Sequence, residues 1–512
     1  MEKEYLNIPL EKLQFVEKKD ISHDKSLKTK PRSYMRDAFS RFCKNKGSIV
    51  GAIIIIILVL FAIITPFCTK YSVSYNDKYF RTTLPKLHLF ENTNFWDGCE
   101  EKQMGKTSFL YYYAMGEETG HNAVKNQKYT YDEKTELYTF RLDSYQKNGM
   151  VYMHLDSEKY KDLQAYQDET GRQVIYPAVR LADRPKALQD VDDANYYFKT
   201  TGTSKTQIVT DRDGNIIPVY WEYEEGYAND DYTSRMRIEG EEGFEVDGVT
   251  HYYAYARKEA GEMFECRINY YEYYIYIYGH EPYFPFGTTG EGQDILTCLS
   301  SGARFSFIFA IAVAVVNLVV GAIYGAIEGY YGGKIDLVME RISDVLSAVP
   351  SMIVITLLKL HMGGSSQILV LFISFFLTGW IGMASSTRMQ FYRYKNQEYV
   401  LAARTLGAKD RRVIWKHIFP NAIGTLITGC ALIIPSMIYS ETSLSYLGII
   451  NLSSGNITSV GTLIAAGQSA LATSPFITMF PSVFLILLML SFNLFGNGLR
   501  DAFNPTLRGS ED

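Results

Sequence analysis

Six stretches of this chain are apolar over nearly the length a bilayer demands: residues 49–67, 305–327, 345–360, 368–386, 422–438 and 476–495. Crossing a hydrocarbon core of about 30 Å takes roughly 20 residues of helix. Backbone groups in lipid must find partners within the protein, and a helix satisfies them locally. Six transmembrane helices are therefore expected. The third run is interrupted by Pro350 and carries Lys359 near its end. The whole-chain averages conceal this, because a net charge of −5 and a mean hydropathy of −0.09 resemble those of a soluble protein. Two compositionally opposite parts have been summed, and 512 residues leave room for both.

Charge bias sets the orientation. Lys30, Arg32, Arg36, Arg41, Lys44 and Lys46 precede the first run against one acid, Asp37, and residues 388–416 hold eight Lys or Arg against Glu398 and Asp410. Positively charged flanks stay in the cytoplasm, so both segments are expected there. Four spans separate them, an even number, as that placement requires. Both termini are then expected in the cytoplasm. The polar segment of 48 residues before the first run argues against a cleaved signal peptide.

The region from residue 71 to residue 295 must face outward. It holds 39 acidic and 24 basic residues and 30 of the 40 tyrosines, an acidic, aromatic insert between spans one and two. The alternation in YYEYYIYIY (270–278) predicts a strand. FEVDGVTHYYAY (244–255) and IVTDRDGNIIPVYW (208–221), turning at Asp247-Gly248 and Asp213-Gly214, predict hairpins. A helix is expected from Ser157, as N-cap, to about Asp168, with Gly171 past its end. The chain thus divides into a cytoplasmic tail (1–48), the first span (49–68), an inserted α+β, β-rich extracytoplasmic domain (69–290), an all-α polytopic membrane domain (291–503) and a short tail (504–512).

Catalytic motifs do not survive inspection. Gly105-Lys106-Thr107 ends like a phosphate loop, but Glu100 stands where its first glycine belongs, and Gly333-Lys334 is followed by Ile335 rather than a hydroxyl. The DRDGN turn (211–215) lacks the later ligands of a calcium loop. The six cysteines form no Cys-x-x-Cys pair, so no metal site is expected; Cys99 and Cys266 both lie in the insert and could pair, but without a spacing signature free or buried thiols are expected.

Between runs four and five lies EYVLAARTLGAKDRRVIWKHIFPN (398–421). Tyr399, Ala402, Ala403 and Leu406 recur at the spacing of one helical face, and Gly407 suits a left-handed helix end. A second short helix should stop at Pro420. Tethering to lipid at both sides excludes nucleic acid as a partner. The paired alanines make a poor membrane anchor but permit close protein contact, which predicts a docking helix with a basic rim.

Glu398, Ala402, Ala403, Gly407, His417, Pro420 and Asn421 together resemble the coupling loop of ABC importer permeases, in the form found in the C-type subunits of oligopeptide, dipeptide and nickel permeases. The loop's name-giving Glu is replaced by Leu401. PFGTTGEGQD (285–294), GYYGGKIDLVMERISDVLSAVP (329–350), SLSYLG (443–448) and FNLFGNGLRDAFNP (492–505) are similar to family stretches in matching order. In the first, Thr289 and Gln293 replace the usual Asp and Arg, so an ion pair is not expected there. The insert resembles nothing recognised.

The resemblance implies a type I ABC importer fold and a transport subunit without its own ATP site or cofactor. The implied partners are a second homologous permease, two cytoplasmic ATPases that use ATP and Mg²⁺, an extracellular solute-binding lipoprotein, and the lipid of a bacterial plasma membrane. It assigns ATPase coupling to Glu398, Tyr399, Ala402, Ala403, Leu406 and Gly407. For the translocation pathway the candidates are Asn317, in mid-span, and Glu441, near the outer end of the fifth span, because polar groups at membrane depth face a bundle interior. The competing class is a membrane receptor or scaffold whose insert senses a ligand.

Overall fold

The computed structural model describes residues 34–91, 93–178, 200–201, 207–208, 212–213, 244–246, 248–251, 253–259, 263–362, 366–452 and 458–503. Residues 1–33 and 504–512 of the expected tails lie outside that set, as does most of the hairpin expected at 208–221.

Helix α1 (Tyr34–Lys44) leads through Asn45 into α2 (Lys46–Cys68), the first apolar run. The Asn45 side chain accepts from the backbone N–H groups of Gly47 and Ser48, capping the helix start. Phe42 packs edge-on against Phe495 near the far end of the chain.

The insert follows. Strands β1 (Cys99–Gly105), β2 (Val124–Asp132) and β3 (Leu137–Asp143) form an antiparallel sheet in the order β1-β3-β2, covered by α3 (Lys106–Thr119). Phe109 of α3 stacks on Tyr138 of β3 with ring centroids 4.3 Å apart. Strand β4 (Met150–Asp156) leads to α4 (Ser157–Thr170) and β5 (Ile175–Tyr176); β6 (Thr200–Thr201) pairs with β7 (Gln207–Ile208). The hairpin expected at Asp247-Gly248 is present as β8 (Phe244–Val246) and β9 (Val249–His251). Strands β10 (Ala256–Glu259) and β11 (Met263–Asn269) complete a second sheet, β10-β11-β4, with β5 on β11. Arg267 of β11 joins the two sheets through a bidentate pair with Glu118 of α3, both contacts at 2.6 Å.

Two local expectations are corrected here. The helix expected from Ser157 is capped one residue earlier by Asp156, whose carboxylate accepts from the Lys159 N–H at 2.8 Å; its end at Gly171 is as expected. More substantially, YYEYYIYIY is helix α5 (Tyr270–Tyr278), not a strand. Almost every residue in it is large and apolar, so periods of 2 and 3.6 cannot be told apart from within. Its ends decide: the Asn269 side chain accepts from Tyr271 N and Glu272 N, and Gly279 closes the helix at φ +69°.

Helix α5 also carries Glu272, which binds Arg172 after α4 (2.8 Å) and His121 after α3 (2.9 Å). Burial opposes the charge, but these two donors outweigh it and hold the carboxyl down at about 2. Tyr270 and Tyr274 join Phe80, Tyr145 and Phe284 in an aromatic cluster at the root of the insert.

The membrane part is built on α6 (Ile295–Tyr331). Then come α7 (Gly333–Ser347) and α8 (Ser351–His361), which bend by 71° on either side of Ala348–Pro350. Proline at the elbow lacks the N–H a straight helix would use. Helices α9 (Gln367–Tyr394), α10 (Glu398–Thr405), α11 (Asp410–Arg412), α12 (Phe419–Tyr446), α13 (Val460–Gly467) and α14 (Phe476–Phe503) follow. Among the described residues, five helices are long and apolar enough to cross a membrane singly, and the bent pair makes a sixth crossing if both arms form one span. Gly321, Gly325 and Gly329 of α6 face the α9 backbone so closely that a Cβ on Gly325 would lie 2.1 Å from Ala384 O. Small residues at this spacing let two membrane helices touch along their length.

The second short helix does not stop at Pro420. Helix α11 passes through a π turn at Val413–Ile418 directly into α12, and Pro420 sits in the first turn of α12. The Phe419 N–H bonds back to Ile414 O, a wide-turn pattern that carries the helix past a residue without an N–H.

Candidate functional site

Helix α10 lies across the ends of α6, α9 and α12 opposite the insert. Val400 and Ala403 are buried, and Val400 packs with Tyr330, Phe391, Val413, Ile414 and Ile418. Those contacts come from three other helices, so the position of α10 is fixed by the membrane core. The expected face separates: Ala403 turns inward, whereas Glu398, Tyr399, Ala402, Leu406 and Gly407 are exposed. Tyr399 is 41% exposed, Leu401 47% and Leu406 88%. An apolar surface thus faces away from the membrane, and Leu401 belongs to it.

The turn after α10 is tightly specified. Gly407 has φ +81°, its N–H bonds to Arg404 O at 2.9 Å, and Ala408 N bonds to Ala403 O at 3.0 Å. The Arg404 guanidinium lies 5.0 Å from the Tyr330 ring, and the Tyr330 hydroxyl donates to Asp410 at 2.6 Å. Tyr399 OH accepts from Asn421 Nδ2 at 3.3 Å.

A polar junction that sequence reasoning missed supports this end of the bundle. Arg388 of α9 holds Asp336 and Glu340 of α7, with Nη1 and Nη2 each reaching Glu340 at 2.9 and 3.0 Å, and lies 3.6 Å from Glu328 of α6. Tyr392 donates to Asp336 at 2.5 Å, and Lys395 to Gly329 O at 2.9 Å. The clue was present as charged residues at the ends of three apolar runs, but their pairing spans about fifty residues of chain.

The two pathway candidates are placed differently. Asn317 is fully buried between α6 and α9, its amide against Gly379, where a Cβ would lie 2.4 Å from Nδ2. Glu441 of α12 is also buried, and accepts from Ser459 Oγ (2.6 Å), Ser445 Oγ (3.0 Å) and Ser306 Oγ (3.5 Å). Ser459 is the N-cap of α13, with its own oxygen accepting from Thr462 N. Glu441 therefore pins α13 to α12 and α6.

Near the insert, the 285–294 box folds as a compact turn. Thr289 Oγ1 accepts from Glu291 N (3.3 Å) and Gln293 N (3.1 Å), so hydroxyl hydrogen bonds close it. The turn borders a cavity of about 540 Å³ shared with α13 and the end of α12. Another, of about 370 Å³, opens between α9, α12 and α14 toward Arg393 and Arg500. Cys99 and Cys266 are both free thiols.

Residues 319–509 match the family described as the binding-protein-dependent transport system inner membrane component, and residues 33–85 the N-terminal TM domain of oligopeptide transport permease C. The oligopeptide transport system permease protein OppC of Bacillus subtilis is 42% identical over 223 residues, covering 44% of this chain and 72% of that protein. The chain belongs to this permease family. It is a membrane permease of an ABC importer. The dipeptide transport system permease protein DppC of Lactococcus lactis is 40% identical over 228 residues, 44% of this chain and 64% of that protein. For the OppC protein of Escherichia coli K12 the figures are 37% over 220 residues, 43% and 72%. The permease match begins at the membrane helices that organise α10, Arg388 and Glu441, so the family's shared part contains all three.

Proposed function

We propose that this chain is the C-type permease subunit of an ATP-driven peptide importer. Its relatives are named as oligopeptide and dipeptide permeases, which supports a peptide substrate. It would form the pathway with a second homologous permease and couple to two cytoplasmic ATPases; an extracellular solute-binding lipoprotein would deliver the substrate. ATP and Mg²⁺ act in the ATPases, and this chain needs no cofactor of its own. Both termini and α10 face the cytoplasm of a bacterial cell, and the insert lies outside.

The observation that carries the reading is the exposure of Tyr399, Leu401, Ala402 and Leu406 on a helix whose other face is locked into the membrane core. A rigidly held helix with an exposed apolar face can transmit an ATPase movement to α6, α9 and α12. Asn317 and Glu441 then act within the moving bundle. Glu441 holds α13 at the insert side, and Asn317 brings a buried amide without a hydrogen-bond partner to the place where α6 meets Gly379 of α9. A ligand shifts such an equilibrium only through unequal affinity for its states.

The test is co-purification with an ATPase bearing a phosphate loop, followed by Ala402→Glu. Position 402 is exposed, so the variant should fold and reach the membrane but lose ATPase-driven peptide uptake. Uptake at the normal rate would overturn the coupling role.

A further inference from the structure

The insert carries a short segment whose apolar side chains point away from the protein at the level where the membrane should end. Phe61 of α2, Phe307 of α6 and Phe484 of α14 define one layer, with ring centroids 6.0 Å apart for Phe61 and Phe484 and 6.4 Å for Phe307 and Phe484. Toward the insert from that layer, Arg304 and Phe480 stand three and four residues on and Phe67 six, about 5 to 9 Å at helical rise. The Arg304 guanidinium lies 5.9 Å from the Phe67 ring, and Trp96 of the insert lies 5.4 Å from Phe480. Trp96 donates its indole N–H to Pro285 O at 2.6 Å. Rings with one polar tip and a long basic side chain, at one level, mark a membrane–water boundary.

From Trp96 the apolar surface continues outward. Phe95 meets Trp96 edge-on at 5.6 Å, Phe90 meets Phe95 at 5.9 Å, and Leu89 follows on a short 3₁₀ turn (His88–Phe90). Leu89 is 85% exposed and Phe95 64%. Polar groups of the same segment turn back to the insert: Lys86 pairs with Glu91 at 3.2 Å, Lys125 donates to Glu91 O at 2.8 Å, and His88 stacks on Tyr283 at 4.3 Å. Trp96 has φ +57°, an uncommon conformation for a bulky residue, so this arrangement is held against local preference. On α14, Met479 and Val483, one residue before and three after Phe480, are exposed.

We propose that residues 87–91 and 93–96 form an interfacial anchor, with Leu89 and Phe95 inserted into the lipid leaflet on the insert side. Continuity with α14 identifies lipid as the occupant: the patch begins where a membrane-spanning face ends and shares its chemistry. The anchor fixes the height of the insert above the pathway and is independent of which substrate is carried.

The test places photoreactive benzoylphenylalanine at Leu89 or Phe95, and at exposed Tyr131 of β2 as control, in the full chain within phosphatidylethanolamine–phosphatidylglycerol vesicles. Irradiation should give phospholipid adducts at 89 and 95 about tenfold above those at 131. Equal yields at all three positions, or adducts to protein in place of lipid, would overturn the anchor. Independently, the extra emission of Phe95→Trp should be quenched by lipids brominated near the headgroup; unquenched emission overturns it as well.

Discussion

Arg388 closes on Asp336 across 52 residues of chain, Nε to Oδ1 at 2.6 Å and Nη2 to Oδ2 at 2.9 Å. The pair ties α7 to α9 just before α9 runs into α10. Any movement delivered at α10 therefore reaches α7 through a two-pronged, charge-assisted contact rather than through a flexible link.

Removing one partner leaves the other charge half-buried. Arg388→Gln and Asp336→Asn should each lower thermal stability in detergent, and their double-mutant cycle should return a coupling of about 1 to 3 kcal/mol. Additive effects in that cycle would show that the pair does not act as a unit. Arg388→Lys keeps the charge but not the fork, so it should recover only part of the loss.

Gly407 is constrained by its backbone alone, since a Cβ there would meet no atom within 4 Å. Gly407→Ala should cost about 1 to 2 kcal/mol for the left-handed conformation. A bulkier residue should also separate ATP hydrolysis from uptake, because it changes the angle at which α10 leaves the membrane core. The ratio of peptide transported to ATP hydrolysed, measured in vesicles, reads that directly; an unchanged ratio for Gly407→Phe would count against it.

Ser459 serves both Glu441 and the start of α13. Ser459→Ala removes the cap and should destabilise by about 0.5 to 2 kcal/mol. Glu441→Gln retains an oxygen acceptor for the serines and should be milder than Glu441→Leu, which leaves Ser306, Ser445 and Ser459 without their shared acceptor. Comparable losses of uptake in the two Glu441 variants would argue that the negative charge itself is required.

Glu272 gives the insert an acid limit. Its folded carboxyl titrates at about 2, below the ordinary 4.5, so its contribution is fully present above pH 4.5 and is lost as pH falls toward 2. A shift of that size corresponds to roughly 3 kcal/mol. The urea midpoint of the full chain, followed by tyrosine near-ultraviolet dichroism, should fall over that window in the native protein and fall less in Glu272→Gln.

Much of the site was legible in the sequence because it depends on local signals. The Gly407 turn, the α10 helix and the apolar runs follow from periodicity, a glycine and length. Which face of α10 is free was not legible, since Val400 is buried by residues from three other helices while Leu401, one position on, is not. Helix α5 escaped for the same reason: its identity rests on Asn269 and Gly279 rather than on its own eight aromatic and apolar positions.

The sequence by itself determined that this chain crosses a membrane, where a polar domain interrupts it, and which loop resembles a coupling joint. Those are consequences of solvent, charge and chain-local geometry. Only the tertiary structure decided that Arg388 meets Asp336, that Glu441 gathers serines from up to 135 residues away, and that Trp96 lies against Phe480 near the start of α14. Such contacts depend on how helices pack around one another, and no period or spacing along the chain encodes them.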